Sequence, residues 1–166
     1  MRHFALLAAA LPLNACTSVH LPADTSARLD PIAFFTGRTE GRGELHQIFA
    51  GARAMRVESS GRPTGGGGLV LTQRISQEGK APRTRVWTIR PVAPGRYSGS
   101  LTEAVGPVAL TVAGPRAQIR YRMKGGLDVH QQLALQPDGR TVLNHLEVAK
   151  LGVRVAHVEE TIRKLP

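Results

Sequence analysis

One cysteine, Cys16, stands in the whole chain, so no disulfide can form within it and the fold must hold without a covalent cross-link. Aromatic residues make up 4% of the chain, with a single tryptophan, Trp87. An interior with so few rings relies on small and medium side chains. No apolar run approaches the ~20 residues that cross a bilayer as a helix; Phe4 to Leu13 is about half that length. Acidic residues number 12 against 22 Lys and Arg, for a formal net charge of +10. Such a balance suits nucleic acid, an anionic membrane or an acidic glycan. Nucleic acid is set aside, because the basic residues are scattered as single Arg at alternate positions, as in Arg83-Thr84-Arg85 and Arg120-Tyr121-Arg122. There is no basic helix and no aromatic–basic reader motif. Attraction to anionic lipid head groups and a solvated face of Arg-rich strands both remain.

What is present begins at the N-terminus. A basic start, Met1-Arg2-His3, precedes the apolar run Phe4 to Leu11, and Ala15 is small. That order is the form of a secretory signal. Leu13-Asn14-Ala15-Cys16 resembles the lipobox of a bacterial lipoprotein, with Leu13 three residues before the cysteine. A buried N-terminal helix is the other reading of the run. The lipobox reading expects a signal peptide over 1–15, lipidation at Cys16 and a tether over 16–28. Thr17, in place of an acidic residue, resembles a lipoprotein sorted to the outer membrane. The expected location is the periplasmic face of that membrane, with the lipid on Cys16 as the link.

The length of 166 residues leaves 29–166 as one domain, large enough for a real core. Asp30-Pro31-Ile32-Ala33-Phe34-Phe35 reads as a helical turn, with Asp30 as cap, Pro31 in the first position and Gly37 at the end. From Gly41 the hydrophobic period becomes two. Leu45, Gln47 and Phe49 alternate with Glu44, His46 and Ile48. Met55 and Val57 follow, then Leu69 to Ile75, and then Trp87 and Ile89 on a strand face that also carries Arg85. After them come Tyr97 to Leu101, Val108 to Val112 and Ile119 to Met123, with the last strands from about Asp128, Thr141 and Val153. Pro94-Gly95, Gly114-Pro115 and Pro137-Asp138-Gly139 mark turns. Gly65-Gly66-Gly67-Gly68 lacks the Lys-Ser/Thr of a phosphate loop and reads as a hairpin tip or strand start. About eight to ten strands joined by short turns form an antiparallel meander, which loses its edges by closing into a barrel. A two-sheet sandwich is the alternative. The class is all-β with a short N-terminal helix.

Phe34-Phe35-Thr36-Gly37, Gly41-Arg42-Gly43, Arg85-Val86-Trp87, Gly95-Arg96-Tyr97-Ser98-Gly99, Val105-Gly106-Pro107, Leu143-Asn144 and Lys150-Leu151-Gly152-Val153 together carry a resemblance. In order and spacing the chain resembles a bacterial lipoprotein family, domain of unknown function family 3833, from roughly Leu29 to Lys164. The resemblance implies a lipocalin-like (calycin) barrel in the Gram-negative envelope and no established activity. The chain departs from the family pattern at Gln131-Gln132-Leu133, where an Asp-Asp-Trp cluster is expected, and at Tyr121 and Met123, where the family is richer in aromatics. If the carboxylates were structural, Gln can keep their hydrogen bonds.

Candidate chemistry is sparse. His130 and His145, with Glu147 near, have the makings of a zinc set. If Val142, Asn144, Leu146 and Val148 face inward, however, His145 and Glu147 face water, so no metal site is assigned. Ser59-Ser60, Ser98 and Ser100 lack a nucleophile elbow, and Glu159-Glu160 point to opposite faces. No catalytic residue and no cofactor is assigned, and an enzyme ranks last. Asn144 lies on an apolar face and must be paired or cost about 1–3 kcal/mol. It reads either as a ligand-facing group, beside Gln73, Gln131, Tyr97, Tyr121 and Trp87, or as an amide fixing a strand end or turn. The expected function is binding of a lipid, fatty-acyl or other small apolar ligand inside the barrel. The alternative is a structural or assembly lipoprotein with a filled barrel.

Cys16→Ser should abolish incorporation of a radioactive fatty acid and move the protein to the soluble fraction. Equal label on both forms would sink the lipoprotein reading.

Overall fold

The domain begins where Leu29 buries its side chain and donates its amide to the Gly114 carbonyl at 3.0 Å. The computed structural model describes residues 21–22 and 26–166. Cys16, the signal-like run and most of the expected tether therefore lie outside the described residues. Asp30 then caps α1 (Pro31–Phe35), accepting from the amides of Ile32 and Ala33 at 2.9 and 3.1 Å. Its short polar side chain satisfies donors that a helix start leaves open, and Pro31 needs none.

Ten strands follow: β1 (Gly37–Gln47), β2 (Gly51–Thr64), β3 (Gly68–Gln77), β4 (Arg83–Ala93), β5 (Arg96–Leu101), β6 (Val108–Ala113), β7 (Arg116–Met123), β8 (Leu127–Leu135), β9 (Thr141–Lys150) and β10 (Val153–Lys164). Each pairs antiparallel with its neighbours in sequence, and β1 pairs with β10 from Thr39–Lys164 to Gln47–Ala156, closing the barrel. The fold is an all-β, lipocalin-like antiparallel barrel with one short helix. The expected alternation through Phe49 stops at Gln47, because Phe49 takes a left-handed backbone (φ 66°) in the β1–β2 turn. Gly65–Gly67 is a short turn of 3-10 helix, and Gly68 opens β3.

The inward row of each strand makes one core. Helix α1 plugs one end of it with Phe34 and Phe35, whose rings meet edge-on at 4.9 Å. Around the plug lie Leu69, Ile89, Leu110, Leu133, Val142 and Ile162. Lys164 locks the plug from the far end of the chain. Its Nζ donates to the carbonyls of Ala33, Phe34 and Thr36 at 2.8, 2.9 and 2.7 Å. These include carbonyls that a helix end leaves without partners, and a cation there also suits the helix dipole. The opposite end, framed by the β1–β2, β3–β4, β5–β6, β7–β8 and β9–β10 connections, carries no such plug among the described residues.

Gly61 sits directly beneath the plug, where any Cβ would collide with the Phe35 carbonyl and press on Leu69. Gly61→Ala should therefore lift α1 and cost about 1–3 kcal/mol, the range for overpacking. Urea midpoints measure it, and an unchanged midpoint would show that the plug contributes nothing to stability.

Candidate functional site

Above the plug the inward rows leave a cavity of about 170 Å³. Its wall is mostly aliphatic, from Val57, Leu71, Ile119, Val129, Leu146, Val148 and Val158, with the Trp87 and Tyr121 rings edge-on at 5.7 Å. Five of the six residues expected to face a ligand line it: Asn144, Trp87, Tyr121, Gln73 and Gln131. Tyr97 does not. It shares their face but stands on the short β5 opposite Pro91 and Leu110, near the plug and the charges of Arg28 and Asp30. Burial, and then Asp30, push its hydroxyl pKa above the usual value.

Five polar residues of the wall, Gln73, Trp87, Gln131, Asn144 and Glu160, belong to two hydrogen-bonded sets. In one, Trp87 Nε1 donates to Gln73 Oε1 at 2.7 Å, and Gln73 Nε2 donates to Ser59 Oγ at 3.2 Å. In the other, Gln131 Nε2 donates to Asn144 Oδ1 at 2.9 Å, and Asn144 Nδ2 donates to Glu160 Oε2 at 2.7 Å. Both amides donate in the same direction, toward the carboxyl group. That sense is fixed by Glu160, which offers acceptors, and aligned bonds of this kind polarise one another. Asn144 is 5% exposed and pairs with side chains across two strands, not with backbone at a turn. Gln131, where a carboxylate was expected from the family pattern, makes its bond as a neutral amide.

Glu160 was not singled out from the sequence. Weighed only as a pair with Glu159, it looked inert. The alternation Val158, Glu160, Ile162 puts it on the inner face, opposite Asn144 on β9 and Gly43 on β1. The residue as a whole is half-buried, but Oε1 is closed off from solvent and makes no hydrogen bond. The atom governs titration, and burial raises the carboxyl pKa against the smaller opposing pulls of Asn144 and Arg85. Gly41 gives it room, since a methyl there would fall on Glu160 Oε1. Arg85 shares the strand face of Trp87 and Ile89, as its alternation in the sequence indicates. It lines the cavity, with its side chain 13% exposed and its Nε 3.1 Å from both oxygens of Glu103.

The described histidines lie on the outside of the barrel wall. His46 stacks on His157 at 4.5 Å, and His145 stands 6.0 Å from His157 and 3.4 Å from Glu147 Oε1. His130 is opposite Glu147 in the β8–β9 register. His145 and Glu147 do point outward, but the expectation that His145 meets water fails: it is 2% exposed. The His157 ring and the carboxylates of Glu147 and Glu159 crowd it from neighbouring positions. Burial, with Arg120 for His130 and His46 for His157, holds those two imidazoles below their usual pKa. Among the described residues no group of three or more His, Cys, Asp or Glu is arranged to hold a metal. The chain just before the domain also touches the wall: the Leu21 carbonyl accepts from Arg116 at 3.1 Å and that of Pro22 from Gln136 at 2.9 Å.

The raised pKa of Glu160 has a definite sign in stability. The folded state holds the proton more tightly than the unfolded chain does. Its contribution is fully present below the usual carboxylate range and is lost as pH rises through the folded value. Glu160→Gln keeps an acceptor for Asn144 and has no charge to bury. The denaturant midpoint of the variant should match the parent at about pH 4 and exceed it at about pH 8. A variant weaker at both would mean that Glu160 is ionised and paired in the fold.

Solved structures share this architecture. An S-type phycobiliprotein lyase from Guillardia theta superposes with a TM-score of 0.65 at 7% identity, covering 81% of this chain and 90% of the lyase. Rv2717c from M. tuberculosis superposes with a TM-score of 0.59 at 15% identity, covering 83% of this chain and 99% of that one. At such identities the likeness is one of fold. No curated protein matches the sequence. The family model described as protein of unknown function (DUF3833) matches residues 10–164, and with the barrel and its glycine-seated carboxyl in view, the chain belongs to that family.

Proposed function

We propose that this protein is a lipid-anchored binding protein of the Gram-negative outer membrane. It faces the periplasm and holds a small apolar ligand, or the end of a lipid or acyl chain, inside its barrel. The observation that carries the reading is the cavity of about 170 Å³ with three polar atoms left over on its wall. Gln77 Nε2, Gln131 Oε1 and Glu160 Oε1 are buried and make no hydrogen bond. Buried polar atoms of this kind are seldom left without a partner. Gln131 Oε1 can accept, and a protonated Glu160 can donate. A hydroxyl or amide on an otherwise apolar ligand would meet both needs.

Size narrows the ligand. A dry cavity of ~150 Å³ takes a benzene ring, whereas drug-sized ligands occupy pockets of about 300–1,000 Å³. The space therefore suits one ring or a short alkyl stretch, not a whole phospholipid. The lipid anchor rests on the Leu13-Asn14-Ala15-Cys16 stretch alone.

The word lyase in the name of one solved relative raises an enzyme as an alternative. Binding is favoured over chemistry by the make-up of the wall. Among the described residues it carries one carboxyl group, Glu160, and no histidine or serine; Ser59, just behind it, accepts from Gln73. The small cavity equally favours the alternative of a structural lipoprotein whose barrel is nearly filled.

Trp87 emission separates these. Benzyl alcohol and toluene should both shift it on titration. Gln131→Leu should weaken benzyl alcohol by about two- to tenfold, the worth of one hydrogen bond, and leave toluene unchanged. No shift with rings, short alcohols or fatty acids would leave the structural lipoprotein as the reading.

A further inference from the structure

The unplugged end of the barrel carries the most exposed apolar side chains among the described residues. Phe49, at the tip of the β1–β2 turn, is 105% exposed, and Leu151, at the tip of the β9–β10 turn, is 92% exposed. Ile48 and Val153 flank them, and Val105 projects from the β5–β6 connection across the mouth. The first two tips are neighbours, because β1 pairs with β10 and the Ile48 amide donates to the Val155 carbonyl at 3.1 Å. Both tip residues have left-handed backbones, φ 66° at Phe49 and 51° at Leu151. That conformation suits Gly or Asn and is strained for a bulky L-residue. Neither residue gains core packing in return.

The same rim is cationic. Arg122 is paired with Asp128, Arg154 with Glu147 and Arg85 with Glu103. Lys80 and Lys124 on the connections, and Arg83 and Lys150 at the strand ends beside them, stand exposed with no carboxylate in ion-pair distance among the described residues. Glu78 is the one exposed acid beside them without such a partner. Separate convex apolar tips ringed by cations fit a soft anionic surface better than the continuous, shape-matched face of a protein partner.

We infer that this rim docks on an anionic phospholipid bilayer, with Phe49 and Leu151 sunk into the interface and Lys80, Arg83, Lys124 and Lys150 against the head groups. Each cation near such a surface adds attraction that salt screens. The inference does not depend on what fills the barrel. Nor does it depend on a lipid on Cys16.

The test uses the full chain with Cys16→Ser, which frees the sequence of cysteine. A single Ala50→Cys then carries an environment-sensitive fluorophore at the rim, and a separate Pro137→Cys carries it in the β8–β9 turn at the plugged end. With vesicles of equal parts phosphatidylcholine and phosphatidylglycerol, the Ala50 label should shift to the blue and become quenchable by lipid-borne quenchers. The Pro137 label should do neither, and phosphatidylcholine alone should give at most a tenth of the effect. Adding Phe49→Asp with Leu151→Asp should abolish the shift, and Lys80→Glu with Lys150→Glu should weaken binding at least tenfold. Circular dichroism checks that these surface variants stay folded. Equal shifts at both labels, an unchanged shift in the Asp variant, or no shift with phosphatidylglycerol would each overturn the proposal. Because depth is read at one position, attachment through the N-terminal segment does not imitate the result.

Discussion

The closing seam between β1 and β10 is the constraint on which the rest depends. A sheet of ten strands has two edges of unpaired backbone groups, and closure removes both. At this seam β1 offers Gly41 and Gly43 on its inner face, opposite Ile162 and Glu160. A side chain at Gly41 would fall on the Glu160 carboxyl, and one at Gly43 on the β10 backbone at Glu159. The Gly-Arg-Gly triplet thus has a physical reason. It lets the first strand approach the last one closely and clears the volume into which a carboxyl group folds.

That carboxyl group orders the wall. From Glu160 the bonds run to Asn144 and then to Gln131, so three strands, β10, β9 and β8, are stitched together on the inside as well as by their backbone ladders. On the facing wall Ser59, Gln73 and Trp87 do the same for β2, β3 and β4. Each such bond is worth about 0.5–1.5 kcal/mol net, but losing one partner of a buried pair costs about 1–3 kcal/mol. The polar sets therefore fix the shape of the cavity more than they add to its stability. An apolar wall of the same volume would be as stable and far less particular about what it accepts.

Much of this was legible in the chain. Period-two alternation separates inward from outward residues, and it placed Asn144, Gln73, Gln131, Trp87 and Tyr121 on the wall that the cavity uses. The Asp30-Pro31 pair located the plug. Alternation gives a face but not a height along the barrel. Tyr97 has the right face and stands at the plugged end. Nor does it give lateral neighbours. His145 points outward as expected and is buried all the same, because the pairing register brings His157 and two carboxylates around it. Glu160 was passed over as half of a pair: adjacent acids on a strand point to opposite faces and make no catalytic pair, and that reading does not ask which of the two turns inward.

Lys164 ties the end of the last strand to the end of α1, across almost the whole domain. The consequence lies in the order of events as the chain emerges. Nine of the strands can pair with the one before them, but neither the seam nor the cap on α1 can form until the final few residues are available. A growing chain of this protein therefore carries two live strand edges and an open plug up to the end. It passes to its finished form in one late step, with contacts of very high sequence separation, which are slow to close. Such a chain stands to gain from being held apart from its own copies until Lys164 has arrived.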